Sequence, residues 1–196
     1  VVNDSAGTPL LSTTAGHFFM LVSAVVTQGF KPQLLAQLLA HPLARGGEEK
    51  STWKKITRLF EVAVLRGVAP ERGLAGLRAR VAAAAARLAP QHSAKAEAIA
   101  QVLAVIEATT APLRQKKAMG LRPWIEAHIQ AAKTLAADHQ GQTADSFFKQ
   151  PDGQELFKQL DALMAMNGQE GQMPVAAYHQ WLRAFLQHAQ VREIYA

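Results

Sequence analysis

Cysteine is missing from all 196 residues. That excludes a disulfide framework, a thiolate metal site, an iron–sulfur cluster and a cysteine nucleophile. Long apolar runs are missing too. The longest, Phe18 to Val26, is broken by Ser23 and falls well short of the roughly 18 residues that span a membrane. It lacks the basic leader and cleavage-site pattern of a secretory signal. No Gly-x-x-x-x-Gly-Lys-Ser/Thr segment is present, so the lysine of a nucleotide phosphate loop is absent. His-Glu-x-x-His is also absent, and no two of the seven histidines stand four apart, the helical zinc spacing. No stretch of four or more residues alternates as a strand. These absences predict a cytoplasmic, all-α protein with no metal, no cofactor and no membrane partner.

Acidic residues are scarce in one quarter of the chain. Between His41 and Arg87 ten Lys/Arg face four Asp/Glu, so this stretch holds the whole net charge of +6. The remainder is balanced. Charge concentrated in this way points to a polyanionic partner more than to general solubility.

What remains is helical period punctuated by proline and glycine. Seven or eight helices are expected, with no internal repeat. The first runs from about Ala15 to Gln28, with Thr13 or Thr14 at its N-cap and Gly29 as its stop. Pro32 opens the second and Pro42 ends it. The third spans about Glu48 to Arg66, stopping at Gly67. On it Trp53, Ile56, Phe60 and Val64 make an apolar stripe, and Lys50, Lys54 and Arg58 make a row on a different, opposed face. Leu74, Leu77, Val81 and Leu88 form the next stripe. Ser93 is the expected N-cap of the helix after that, and residues 109–123 read as a loose basic linker. A helix from about Trp124 to Asp138 and a short turn at 146–150 follow. Asp152 and Glu155 have capping-box form for a helix that stops at Asn167-Gly168, and Pro174 starts the last one.

Candidate catalytic groups fail on context. Ser5, between Asp4 and Gly7, invites comparison with a nucleophile turn, but that motif needs a strand before it, a helix directly after it and a histidine base. A turn with Pro9 fixing φ and Asp4 capping its own loop accounts for the stretch. His41 before Pro42 is expected at a helix end, in contact with its dipole. His179 and His188 are expected to be solvated or partly packed. The methionines at 164, 166 and 173 are core filler.

Three segments, in order and at their spacing, carry a resemblance: DSAGTPLLSTTAGHFFMLV (4–22), LLAQLLAHPLARGG (34–47) and LFEVAVLRG…GLAGLRAR (59–80). Together they resemble the AddB subunit of AddAB-type helicase–nucleases in its alphaproteobacterial form. VAAYHQWLRAFLQHAQVRE (175–193) is similar more loosely. The chain departs from the pattern at Asn3 for an Asp, Ala40 for a Lys and Phe60 for a Leu. The resemblance implies one helical domain over 1–196, excised from a longer chain: an entry turn and two helices (1–47), a basic helical pair (48–90) and the remaining helices (91–196). It would correspond to the helical insertion called 2B in superfamily-1 helicases. The family's nucleotide-binding lysine, nuclease carboxylates and cluster cysteines belong to other segments, so no catalytic residue carries over.

The expected function is a non-catalytic accessory domain in double-strand break repair, with DNA and an AddA-like subunit as partners. Arg45, Lys50, Lys54, Lys55, Arg58, Arg78 and Arg80 are the candidate phosphate contacts. Trp53 and Phe60 fall on the apolar stripe, so backbone contact is favoured over base stacking. The alternative is a helical protein–protein module whose basic face binds an acidic surface without touching DNA.

Overall fold

The computed structural model describes residues 7–67, 73–88, 92–141, 146–166 and 171–191. Its architecture is all-α, as expected, with eight α-helices among the described residues. They are α1 (Thr14–Thr27), α2 (Pro32–Leu39), α3 (Lys50–Phe60), α4 (Gly73–Arg87), α5 (Ser93–Thr110), α6 (Leu121–Ala136), α7 (Pro151–Ala165) and α8 (Val175–Leu186). Two two-residue strands, β1 (Thr8–Pro9) and β2 (Gln190–Val191), pair antiparallel. Leu10 N–H extends that pairing to the Ala189 carbonyl at 2.9 Å.

The first helix is the axis of the bundle. Nine of its fourteen residues are buried, and it packs against α2, α5, α6, α7 and α8. Thr13, extended in backbone, caps it: its Oγ1 accepts the Gly16 N–H at 3.2 Å and donates to the Leu10 carbonyl at 2.7 Å. Gly29 ends it at φ +68°, as expected from the sequence. Pro32 occupies the first turn of α2, where its missing N–H costs nothing.

Four local expectations change. The third helix is α-helical only over Lys50–Phe60 and widens into a π-turn over Glu61–Leu65. A straight α-helix would turn Leu65 far from the Trp53 stripe; the wider turn buries both Val64 and Leu65 and leaves Val62 half exposed. Ser93 is the first residue of α5, after His92 at the cap, and makes no capping bond. The stretch after Ala108 is no loose linker at its start. Thr109 and Thr110 are buried in α5, Ala111–Leu113 continues as a 3-10 turn, and Met119 pairs with Met173 ahead of α6 and α8.

The fourth change concerns Asp152. It sits one residue inside α7, after Pro151 and with Gln150 at the cap. Its Oδ2 accepts the N–H of Ala15 at 2.8 Å, 137 positions away, while Oδ1 accepts the Gly153 N–H at 2.9 Å. One carboxylate thus serves the N-termini of two helices, where the macrodipoles favour negative charge. A Cβ at residue 153 would overlap the Phe147 carbonyl, so glycine is required for this approach. The expected stop at Asn167-Gly168 lies outside the described residues, as do Asp4 and Ser5.

Ser93–Leu113 has the length and mean hydropathy, 1.2, to reach across a bilayer by composition alone. In the fold Ile99, Val102 and Ile106 are buried, and α5 packs on α3, α4 and α6. Trp53, Phe60, Leu77 and Val81 belong to the same continuous core, with Ile56 half-buried against it.

Asp152→Ala is expected to destabilise the protein by about 1–2 kcal/mol, because the Ala15 N–H loses its acceptor; chemical denaturation measures it, and a change under about 0.3 kcal/mol would mean that the cross-chain cap is not formed. Phe60→Ala, at a fully buried position, should cost about 3–5 kcal/mol.

Candidate nucleic-acid interface

Four of the seven candidate contacts stand together on α3. Lys50, Lys54, Lys55 and Arg58 are exposed, and none forms an ion pair among the described residues. The helix carries no acid in its first turn. Lys50, Lys54 and Arg58 repeat at i, i+4, i+8, so like charges lie one above another. Lys50 also places a cation at the positive end of the helix dipole. The repulsion works against the isolated helix and a bound anion would relieve it; at the helix end Glu49, the N-cap residue, already brings negative charge beside Lys50.

This row is not opposed to the apolar stripe. Lys50, Lys54 and Arg58 line a groove of about 310 Å³ whose wall also includes Trp53, Thr57 and Leu65. The cations therefore flank the stripe's edge. On a helical wheel Trp53 lies 60° from Lys50, a separation that apolar counting alone reads as a separate face.

Arg45 is held differently. Its guanidinium folds back onto the Pro42 and Ala44 carbonyls at 2.6 and 2.9 Å, at one end of the same groove. The loop is fixed from below: Arg45 and Gly46 N–H groups donate to the Leu135 carbonyl, and Gly47 N–H donates to Ala137. These donors satisfy carbonyls at the C-terminus of α6. Gly46 lies against the Trp53 ring at φ +56°, and a Cβ there would overlap it.

Arg78 and Arg80 do not extend the α3 row. The expected third helix meets α4 only through its π-turn end: Lys50–Phe60 packs on α5, while α4 packs on α5 and the π-turn. Arg78 makes an ion pair with Glu107 of α5 at 2.6 Å. Arg80 donates to the Arg66 carbonyl at 2.6 Å. The long helix α5, which the sequence places later, packs on both basic elements.

The histidines take roles that spacing did not reveal. His128 is fully buried on α6 and stacked on Phe19 with ring centroids 3.7 Å apart. Its Nε2 donates to the Phe19 carbonyl at 2.7 Å, which makes Nδ1 the acceptor for the Tyr178 hydroxyl at 3.0 Å. Burial lowers its pKa to about 3 and raises that of Tyr178. His179, expected to be solvated or partly packed, is buried with Nδ1 at 2.8 Å from Ser23 Oγ; burial, then nearby Arg183, lowers its pKa. Ser23 is wholly enclosed, so this Ser–His pair offers no surface to a substrate. His41 is buried and neutral, not a charged partner of a dipole: burial and then His17 bring its pKa to about 4, and its Nδ1 accepts the Leu43 N–H at 3.3 Å. His188 is exposed, as expected.

The start of α1 is no phosphate cradle either. Thr13 and Asp152 already take the N–H groups of Gly16 and Ala15. Among the described residues no group of three or more His, Cys, Asp or Glu side chains is placed to hold a metal.

Compared with protein-family models, curated proteins and solved structures, the chain matches none.

The buried histidines set a pH dependence. In the unfolded chain each histidine protonates near 6.5, whereas in the fold His128 and His41 stay neutral to about 3 and 4. The unfolded state therefore binds more protons below 6.5, and stability present above that pH is lost progressively as pH falls toward 3. Thermal melts should show a Tm several degrees lower at pH 5 than at pH 7.5; an unchanged Tm would contradict burial of neutral His128.

Proposed function

We propose that this chain is a non-catalytic helical accessory domain of an AddB-type helicase–nuclease subunit acting in double-strand break repair, and that α3 grips DNA phosphates for a motor lying elsewhere. The observation that carries the proposal is the row of Lys50, Lys54, Lys55 and Arg58, exposed and without ion pairs among the described residues. A solvated helix face of ordinary design intersperses acids at i+4 to offset such a row; this one does not. The ordered sequence resemblance over 4–80 supports the choice of DNA as the polyanion and of an AddA-like subunit as partner. Arg45 reinforces one end of the row. Arg78 and Arg80, engaged with Glu107 and the Arg66 carbonyl, are left out of the proposed contact.

The grip is electrostatic, so it is insensitive to sequence and steeply weakened by salt. Three or four phosphate contacts would give a slope of log K on log salt of about −3 to −4 on duplex DNA, with Kd no tighter than about 10⁻⁶ M at physiological ionic strength. Lys50→Gln, Lys54→Gln and Arg58→Gln together should abolish most of that slope and leave Tm unchanged or slightly raised, since like-charge repulsion is removed. Fluorescence anisotropy on duplex DNA across a salt series measures it. A triple variant that binds as well as wild type at low salt would leave the face a solvated helix surface.

A further inference from the structure

The groove beside the basic row has a property that phosphate binding does not use. Its floor is apolar. Ala36 of α2, with Ala40 and Pro42 after it, brings small apolar surface to solvent, over the buried side chains of Leu39, Trp53 and Leu65. Lys50, Lys54 and Arg58 line the same groove, and side chains of this kind lay methylene stems along apolar surface beneath their charged ends. The one acid on the wall, Glu61, is already engaged with Arg66 at 2.9 Å. A DNA backbone would meet the cations and leave the floor in water.

The groove is also built before any ligand arrives. Trp53 Nε1 donates to the Leu39 carbonyl at 3.0 Å, which ties α3 to the end of α2. Thr57 Oγ1 donates to the Trp53 carbonyl at 2.8 Å, so it is spent within α3. Arg45 is fixed by two carbonyls, and its loop by the end of α6. Stacking of a nucleobase on Trp53 is not available, because the indole is 3% exposed and Gly46 covers its six-membered ring. What fits is a guest with an apolar side chain for the floor and carboxylates for the rim.

We propose that the groove between α2 and α3 docks a short acidic peptide segment, one apolar side chain seated over Ala36 and Ala40 and its carboxylates facing Arg45, Lys50, Lys54 and Arg58. The charge complementarity chooses a peptide rich in Asp or Glu, and the apolar floor chooses one carrying a Phe or Leu among them. A preformed groove spares the ordering cost on the protein's side. The guanidinium of Arg45 and the ammonium groups act as a rim around a desolvated anchor, the arrangement in which single side chains dominate binding. Because peptide and DNA phosphates would use the same cations, the two guests exclude each other, and an acidic partner would release the DNA grip. The docking itself rests on the groove and stands independently of the DNA proposal.

The test compares two fluorescein-labelled peptides on the full chain: a run of aspartates ending in phenylalanine, and the same run ending in serine. The phenylalanine peptide should bind about tenfold tighter, reflecting burial of one anchor side chain. Ala40→Phe, at an exposed position that lines the groove, should fill the floor and remove that preference while leaving duplex DNA binding within about twofold. Lys54→Gln with Arg58→Gln should weaken both peptides together. Ala36→Gln provides a second obstruction if Ala40→Phe lowers the Tm. Equal affinity for the two peptides, or a preference that survives both obstructions, would overturn the docking proposal. DNA binding could stand in that case. A phenylalanine preference in a protein that shows no DNA binding would sustain the docking and defeat the phosphate grip.

Discussion

Burying α1 is the constraint on which the rest of the structure depends. A helix so apolar along its length can be packed against five others only if its buried polar groups find partners inside the protein. Each partner comes from a different later helix. Asp152 of α7 accepts the Ala15 N–H at the open end, His128 of α6 donates to the Phe19 carbonyl, and His179 of α8 meets Ser23. These bonds fix the rotation and height of α6, α7 and α8 about α1. The apolar contacts then supply the free energy, and the polar ones make one arrangement cheaper than its neighbours.

That arrangement sets the position of the basic face. The C-terminus of α6, held by the core, is capped by the backbone N–H groups of Arg45, Gly46 and Gly47. The same loop presents Gly46 to Trp53, and Trp53 reaches back to the Leu39 carbonyl. The chain of contacts therefore runs from the buried axis through the end of α6 to α3. It delivers a helix whose inner side is locked and whose outer side carries cations without ion pairs among the described residues. Rigid support beneath an exposed, self-repelling row is what an electrostatic grip requires, since little ordering remains to be done when the anion arrives.

Much of the fold was legible because its signals are local. Thr13, Gly29, Pro32 and Gly67 mark helix ends through backbone chemistry that needs no tertiary partner, and the 3.6-residue stripe through Trp53, Phe60 and Val64 found the core side of α3. The misreadings share the opposite origin. Asp152 matched a local capping box, yet a helix end 137 positions away competes for the same carboxylate, and nothing within a short window records that. His128 looks like any helical histidine until α1 and Tyr178 enclose it. Arg78 and Arg80 belong to the same basic stretch as the α3 row, and only the packing of α4 on α5 and on the π-turn shows why they face Glu107 and Arg66 instead. The groove depended on the end of α2, where the small Ala36 and, just past it, Ala40 carry no signal of their own. The exposed row of Lys50, Lys54 and Arg58 was legible because charge at helical spacing is itself a local pattern.

The central claim is that α3 is where this protein meets a nucleic-acid backbone. Amide chemical shifts of the isotopically labelled chain, followed as duplex DNA is added at low salt, test it most directly. The account predicts perturbations concentrated on residues 45–58, fading as salt is raised, with α7 and α8 silent. Perturbations spread evenly over the surface, or centred on another helix while 45–58 stay unmoved, would contradict it.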